Sequence, residues 1–174
     1  GFAGANVTIP HKEAVIPFLD AIDPAAARIG AVNTIVVQDG RLHGSNTDGF
    51  GFLENLKAGA PTWRADAGPV AVVGAGGAAK AVAWALIDAG VPALRIVNRT
   101  RARADALAQA LGSTASVVDW SARAEALREA ALVVNTTALG MTGQPALDLD
   151  LTDLPGAAVV NDIVYQPAET PLLA

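Results

Sequence analysis

The sequence predicts an α/β protein in two parts: a short N-terminal α/β region through residue 66, then a doubly wound parallel sheet from residue 67 onward. Three observations carry this. Beyond residue 69, short β-branched runs alternate with helical stretches of about a dozen residues, the layout of parallel strands joined by crossover helices. Before residue 58 the runs are shorter and include a hairpin signal. Between the two parts, residues 58–68 hold three Gly or Pro and little periodicity, which suits a linker.

The elements follow in chain order. Residues 5–9 read as a strand. Pro10 suits a first helical turn, where its missing N–H is not needed, so a helix is predicted to run toward residue 21 with a bend at Pro17. Residues 31–38 and 41–46 are β-rich and joined by Asp39-Gly40, a two-residue hairpin signal. Thr47-Asp48 opens a helix whose Phe52, Leu53 and Leu56 share one face. After the linker come strands at 70–73, 94–97, 116–118, 132–134 and 158–160, with helices at 78–89, 101–111 and 121–130.

Composition narrows the function. The chain has 174 residues with 52% apolar but only 5% aromatic, so its core is built from Ala, Val, Leu and Ile. Net charge is 12 − 17 = −5 without a run of like charge, which argues against a nucleic-acid groove or an anionic membrane surface. The absence of cysteine excludes disulfides, thiolate zinc sites and cysteine nucleophiles, and it fits a reducing, cytoplasmic setting. No metal site is expected. The longest uncharged stretch, 130–147, contains Asn135, Gln144, Pro145 and two glycines, a composition that excludes a membrane span. Gly1 opens without a methionine and Ala174 closes inside an apolar run, so the chain is expected to be an internal piece of a longer protein.

Gly74-Ala75-Gly76-Gly77-Ala78-Ala79 follows a predicted strand and opens a predicted helix. That is the context in which a Rossmann-type glycine loop binds a dinucleotide. Gly74 permits the tight turn, Gly76 admits a pyrophosphate, and Ala79 allows close helix–strand packing, with free N–H groups at the helix start. The plain alternative is a tight turn without a ligand. Cofactor type is read after the second strand, where an NAD site carries a carboxylate for the ribose hydroxyls. Here Asn98-Arg99-Thr100-Arg101-Ala102-Arg103 has three arginines, a hydroxyl and no carboxylate. Guanidinium groups grip phosphate with paired hydrogen bonds, and positive charge at a helix start calls for an anion, so the expectation is NADP. The alternative is arginines that only decorate an exposed turn.

Upstream lies a polar constellation. If Asp39-Gly40 sets the hairpin, Gln38 pairs with Arg41 and Asn33 comes opposite Asn46, with Asp48 just beyond at the same open end. If residues 5–9 run parallel to 41–46, Lys12 also sits past a carboxyl strand end, the edge where ligands bind in open α/β sheets. A lysine beside a carboxylate can move a proton to or from a hydroxyl, which hydride transfer from an alcohol requires. Asn6, Thr8 and Asn33 would hydrogen-bond a polyhydroxylated substrate. Each has a bland alternative: Asp48 as a helix N-cap, Lys12 as a solvated helical lysine, Asn33 as the close of a strand. His11 and His43 read as structural.

Seven ordered blocks resemble the shikimate dehydrogenase family: NVTIPHK (6–12), GAVNT (30–34), NTDG (46–49), GAGGAAKA (74–81), NRTRARA (98–104), NTTALGM (135–141) and DIVYQPAETPLL (162–173). The resemblance implies NADP-linked, reversible reduction of 3-dehydroshikimate to shikimate in the chorismate route to aromatic amino acids. It implies that Lys12 is catalytic with Asp48 as its partner, and that Thr8, Asn33, Asp48 and Tyr165 contact the substrate. Gly74, Ala75, Gly76, Gly77 and Ala78, with Asn98, Arg99, Thr100 and Arg103, would bind the cofactor, and Ile163 would lie on the nicotinamide side. Residues 1–66 would then be the substrate-binding and catalytic domain, incomplete at its N-terminus. Residues 67–174 would be the NADP-binding domain, incomplete at its C-terminus. No nucleic-acid or membrane partner is expected, and a homodimer stays open. Segments with a Ser-x-Ser contact and a substrate-binding glutamine are missing, so the 174 residues alone are expected to be inactive or poorly folded. Thr136 stands where the family usually has Ala.

Three rivals stay open at this stage. A quinate/shikimate dehydrogenase preferring NAD would carry an acidic residue near position 100. Glutamyl-tRNA reductase shares the glycine loop but needs a cysteine and lacks NVTIPHK and NTDG. A non-catalytic nucleotide sensor would not need Lys12 or Asp48.

Overall fold

A computed structural model describes all 174 residues and contains two sheets. The first is assembled from β1 (Gly4–Asn6), β2 (Ala21–Ile22), β3 (Thr34–Gln38) and β4 (Arg41–Ser45), in the order β1-β3-β4-β2. The hairpin has the register expected of Asp39-Gly40: Gln38 faces Arg41 and Thr34 faces Ser45. Asp39 takes φ 52° and Gly40 φ 75°, the left-handed pair of a tight hairpin turn. β1 and β4 are both antiparallel to β3, so they point the same way with β3 between them.

The second sheet holds β5 (Val70–Val73), β6 (Leu94–Val97), β7 (Ala115–Val118), β8 (Leu132–Asn135) and β9 (Val159–Asp162). All its pairings are parallel and its order is β7-β6-β5-β8-β9. This is the doubly wound Rossmann topology, and the order reverses between β5 and β8. Alternating strand residues feed opposite faces. Val70, Val72, Leu94, Ile96, Leu132 and Val134 join the main core, whereas Ala71, Val97 and Val133 meet Ala126, Leu127 and Ala130.

The helices are α1 (Pro24–Ile29), α2 (Asp48–Gly59), α3 (Gly77–Asp88) and α4 (Arg101–Leu111). α2 follows the first sheet, but its Phe52 and Leu56 are buried in the main core of the second. It packs tightly on α3 at Gly49, where an added Cβ would lie 2.9 Å from the Ala81 carbonyl oxygen.

Three expectations are corrected. No helix runs from Pro10 toward residue 21: that stretch is a chain of turns with a cis peptide at Ile9–Pro10 and a 3₁₀ turn at Ile16–Phe18. Pro17 has no N–H to extend the ladder and its ring crowds the carbonyl four residues back, so a helix running on from Pro10 is interrupted there. In its place the chain forms β2 and the unexpected α1, which starts at Asp23-Pro24 with the Asp23 carboxylate accepting from Ala26 N at 2.6 Å. Third, the helix expected at 121–130 is an irregular 3₁₀ segment, Trp120–Leu127, broken at Ala122. The Arg123 guanidinium donates to the Trp120 carbonyl at 3.0 Å within this segment.

Candidate active site

Lys12 leaves the turn after β1 and is tied to the hairpin by its own carbonyl, which accepts from Val32 N at 2.8 Å. Its amine donates to Asp48 Oδ2 at 2.5 Å. The other Asp48 oxygen accepts from Asn33 Nδ2 at 2.8 Å. The Asn33 side-chain Oδ1 in turn accepts from Thr47 N at 3.0 Å and from the Thr34 hydroxyl at 2.9 Å. Asn46 completes the frame: it donates to the Ala31 carbonyl at 2.9 Å and accepts from Asp48 N at 2.9 Å. Both carboxylate oxygens of Asp48 are therefore engaged, and the group is held in one orientation.

This geometry removes two of the bland alternatives. Asp48 is the first residue of α2 rather than its N-cap, which is Thr47. Its charge lies at the helix start, where the peptide dipoles favour an anion. Lys12 is neither helical nor solvated, since its side chain is only 18% exposed. Asn46 is the position that motif reading underused; its side chain, two residues before Asp48, forms the Asx turn that aims the carboxylate.

The pair is seated against the glycine loop. A Cβ at Gly77, the first residue of α3, would touch Lys12 Cβ at 3.4 Å and Cδ at 3.6 Å. Lys12 thus lies beside the crevice between β5 and β8, at the carboxyl edge of the parallel strands. Gly74 adopts φ 120°, a conformation that side chains avoid, and a Cβ there would collide with the Thr136 hydroxyl. That hydroxyl donates to the Val73 carbonyl at 2.7 Å, locking β8 to the start of the loop. Nothing stands within 4 Å above Gly76, and α3 begins without a side-chain cap. An anion can therefore approach free backbone N–H groups there, so the loop fits a pyrophosphate.

The arginines beyond β6 separate into different roles. Arg101 is held by Asp105 at 2.8 Å and Asp119 at 2.6 Å. Hydrogen bonding to Asp105 first, then Asp119, pushes its guanidinium above its ordinary range. The anion that the helix start called for is thus met at Arg101 by two aspartates. Arg99 and Arg103 remain exposed with Thr100, and Asn98 Nδ2 donates to the Thr100 carbonyl at 2.9 Å, shaping the turn. Thr8 and Tyr165 are exposed and take no part in the Lys12–Asp48–Asn33 network. Ile163 packs on the main core and donates its N–H to Asn135 O at 3.1 Å.

Comparison with known proteins bears on this arrangement. Residues 1–35 match the shikimate dehydrogenase substrate binding domain, and residues 61–142 match the shikimate / quinate 5-dehydrogenase family. The shikimate dehydrogenase (NADP(+)) of Paramagnetospirillum magneticum is 63% identical over the whole chain. The chain belongs to the shikimate dehydrogenase family. It spans 63% of the length of that relative, and likewise of the Rhodospirillum rubrum shikimate dehydrogenase (NADP(+)), which is 59% identical. Solved structures of the family superpose closely. Shikimate 5-dehydrogenase from Thermus thermophilus in complex with NADP(H) and shikimate gives a TM-score of 0.83 at 45% identity, covering 96% of this chain and 60% of that one. Quinate dehydrogenase from Corynebacterium glutamicum in complex with NAD gives 0.89 at 38% identity, covering 99% and 63%.

Proposed function

We propose that the protein containing this chain is an NADP-dependent shikimate dehydrogenase that interconverts 3-dehydroshikimate and shikimate. Residues 1–66 bind the substrate and supply proton transfer, and residues 67–174 bind the dinucleotide. The observation that carries this reading is the Lys12–Asp48 pair, 2.5 Å apart and packed against the first residue of the glycine-loop helix.

A nicotinamide dinucleotide held at the glycine loop would supply the hydride chemistry that interconverts the alcohol and the ketone. The protein's part is the proton. As the alcohol becomes a ketone its hydroxyl proton must leave, and Lys12 is the group positioned to take it, directly or through water. Asp48 holds the amine in place, and Asn33 keeps the carboxylate from rotating. Thr8, Asn33 and Tyr165 are assigned to the substrate hydroxyls and carboxylate. Gly74 to Ala78 would receive the pyrophosphate, Ile163 would serve the nicotinamide side, and Asn98, Arg99, Thr100 and Arg103 would hold the adenosine 2′-phosphate.

The similarity to a quinate dehydrogenase with NAD supports a second reading, an NAD-preferring quinate/shikimate enzyme. Residues 98–103 contain no carboxylate to receive free ribose hydroxyls, which favours NADP. Turnover of the complete protein on shikimate and quinate, each with NADP⁺ and NAD⁺, decides between them. The proposed function requires shikimate with NADP⁺ to give the highest kcat/KM. A higher value for quinate with NAD⁺ would overturn it.

A further inference from the structure

Glu13, the residue after Lys12, reaches across to the dinucleotide half of the molecule. Its Oε2 forms an ion pair with Lys80 Nζ on α3 at 3.0 Å, and its Oε1 faces Arg103 Nη2 on α4 at 3.9 Å. The three side chains, with Arg28, Trp84 and Leu107, line a cleft of about 320 Å³ that also touches Ala75 of the glycine loop. Of the arginines after β6, Arg101 is saturated by its two aspartates and Arg99 has no ion pair, whereas Arg103 faces the carboxylate of Glu13. At 3.9 Å that carboxylate attracts the guanidinium without forming a hydrogen bond, so the donors of Arg103 are only partly committed.

We propose that Glu13 is a specificity-determining residue that tempers the grip of Arg103 on a 2′-phosphate, placing control of cofactor discrimination on the segment that carries the catalytic lysine. The inference rests on the reading that Arg103 faces the 2′-phosphate. A 2′-phosphate brings a charge near −2 to a guanidinium that already senses a carboxylate. The two anions compete for Arg103 and repel one another. Lys80 neutralises Glu13 in part and keeps it in place. A dinucleotide without the 2′-phosphate makes no claim on Arg103, so Glu13 costs it nothing. Binding of the phosphorylated cofactor draws Arg103 away and leaves Glu13 to Lys80 alone, a rearrangement that starts one residue from the catalytic amine.

The test uses the complete protein at fixed low ionic strength, with adenosine 2′,5′-bisphosphate and 5′-AMP as probes in calorimetric titrations. Glu13→Gln should tighten the bisphosphate by about two- to five-fold, the scale of an exposed ion pair, and leave 5′-AMP unchanged. In an Arg103→Ala background the gain for the bisphosphate should shrink, since only direct repulsion between the two anions is left, and 5′-AMP should again be unchanged. Glu13 is 41% exposed, so the variants should fold, and Glu13→Ala must reproduce the sign of the effect. An unchanged or weakened bisphosphate affinity, or equal tightening of both probes, overturns the role of Glu13 while the cofactor reading stands. If the unsubstituted protein binds 5′-AMP as tightly as the bisphosphate, the cofactor reading itself falls, and the inference falls with it.

Discussion

The five-stranded sheet buries every residue of β5 and β8, whereas the four-stranded sheet buries one residue of β4 and none of β1, β2 or β3. The first is an apolar slab covered on both faces, with a main core of 17 buried residues that extends onto α2, α3 and α4. The second has no comparable core of its own; Ile29 and Ala31 join a small cluster with Ala81 of α3. Its order comes from the hairpin ladder, from the Asn33–Asn46–Asp48 hydrogen bonds, and from the ends of α1 and α2 that lean on α3. The contrast teaches where chemistry can be housed. The fully buried central strands β5 and β8 cannot hold a lysine and a carboxylate without a large desolvation penalty. A thin, half-exposed sheet can, provided that the rigid neighbour supplies the reference frame.

The sharpest way to break this comparison is Lys12→Ala in the complete protein. Loss of a positioned proton-transfer group should lower kcat by about 10²–10⁴-fold, with circular dichroism and the thermal midpoint nearly unchanged. A variant that unfolds, or one that keeps full turnover, would show that the polar network is scaffolding alone. Next comes a pair of truncations read by urea denaturation. Leu132→Ala in β8, at 0% exposure, should cost about 2–5 kcal/mol, the range for large-to-small changes in a packed core. Val36→Ala in β3, at 48% exposure, should stay within about 0.5 kcal/mol. Similar losses at both positions would erase the distinction between the sheets. A third test is placed at the seam, with an expected cost between those of the two truncations. Gly49→Ala places a methyl group 2.9 Å from the Ala81 carbonyl oxygen and 3.1 Å from Ala85 Cβ, so α2 must move away from α3. A cost of about 1–3 kcal/mol is expected, together with a fall in kcat, because Asp48 is the neighbouring residue. A neutral result would mean that the seam is looser than its packing implies.

The same contrast explains what was legible in the sequence. β5, α3, β6 and α4 were readable nearly to the residue because each carries its signal locally, in β-branched runs, a glycine loop or a helical period. The hairpin was equally plain from Asp39-Gly40. The region between residues 10 and 30 was not, because Pro10 imitates a helix start and Pro17 a bend, whereas Pro17 in fact interrupts the helical ladder. Yet Asp23-Pro24 and Gly30, the latter at φ 68°, bracket α1 with an N-cap and a left-handed stop that were there to be read. The irregular Trp120–Leu127 segment was not readable: its break falls at Ala122, an ordinary helix former, and its Arg123 is tied to the carbonyl of Asp148, 25 residues further along the chain.

At the candidate site the division falls in the same place. Residue types and their order determined which groups could do chemistry: Lys12 and Asp48 for proton transfer, Asn33 for substrate hydroxyls, the glycine loop for a pyrophosphate, and the three arginines after β6 for a phosphate. Local patterns also determined the hairpin register that brings Asn33 beside Asp48. Only the tertiary structure decided that Lys12 meets Asp48 across 36 positions of sequence, that the pair rests on Gly77, and that Arg101 is taken by Asp119 while Arg103 faces Glu13. The reason is physical: propensity, capping and turn geometry act over a few neighbouring residues. The distance between two charges on separate elements is set by how those elements pack, here by α2 closing on α3 through Gly49.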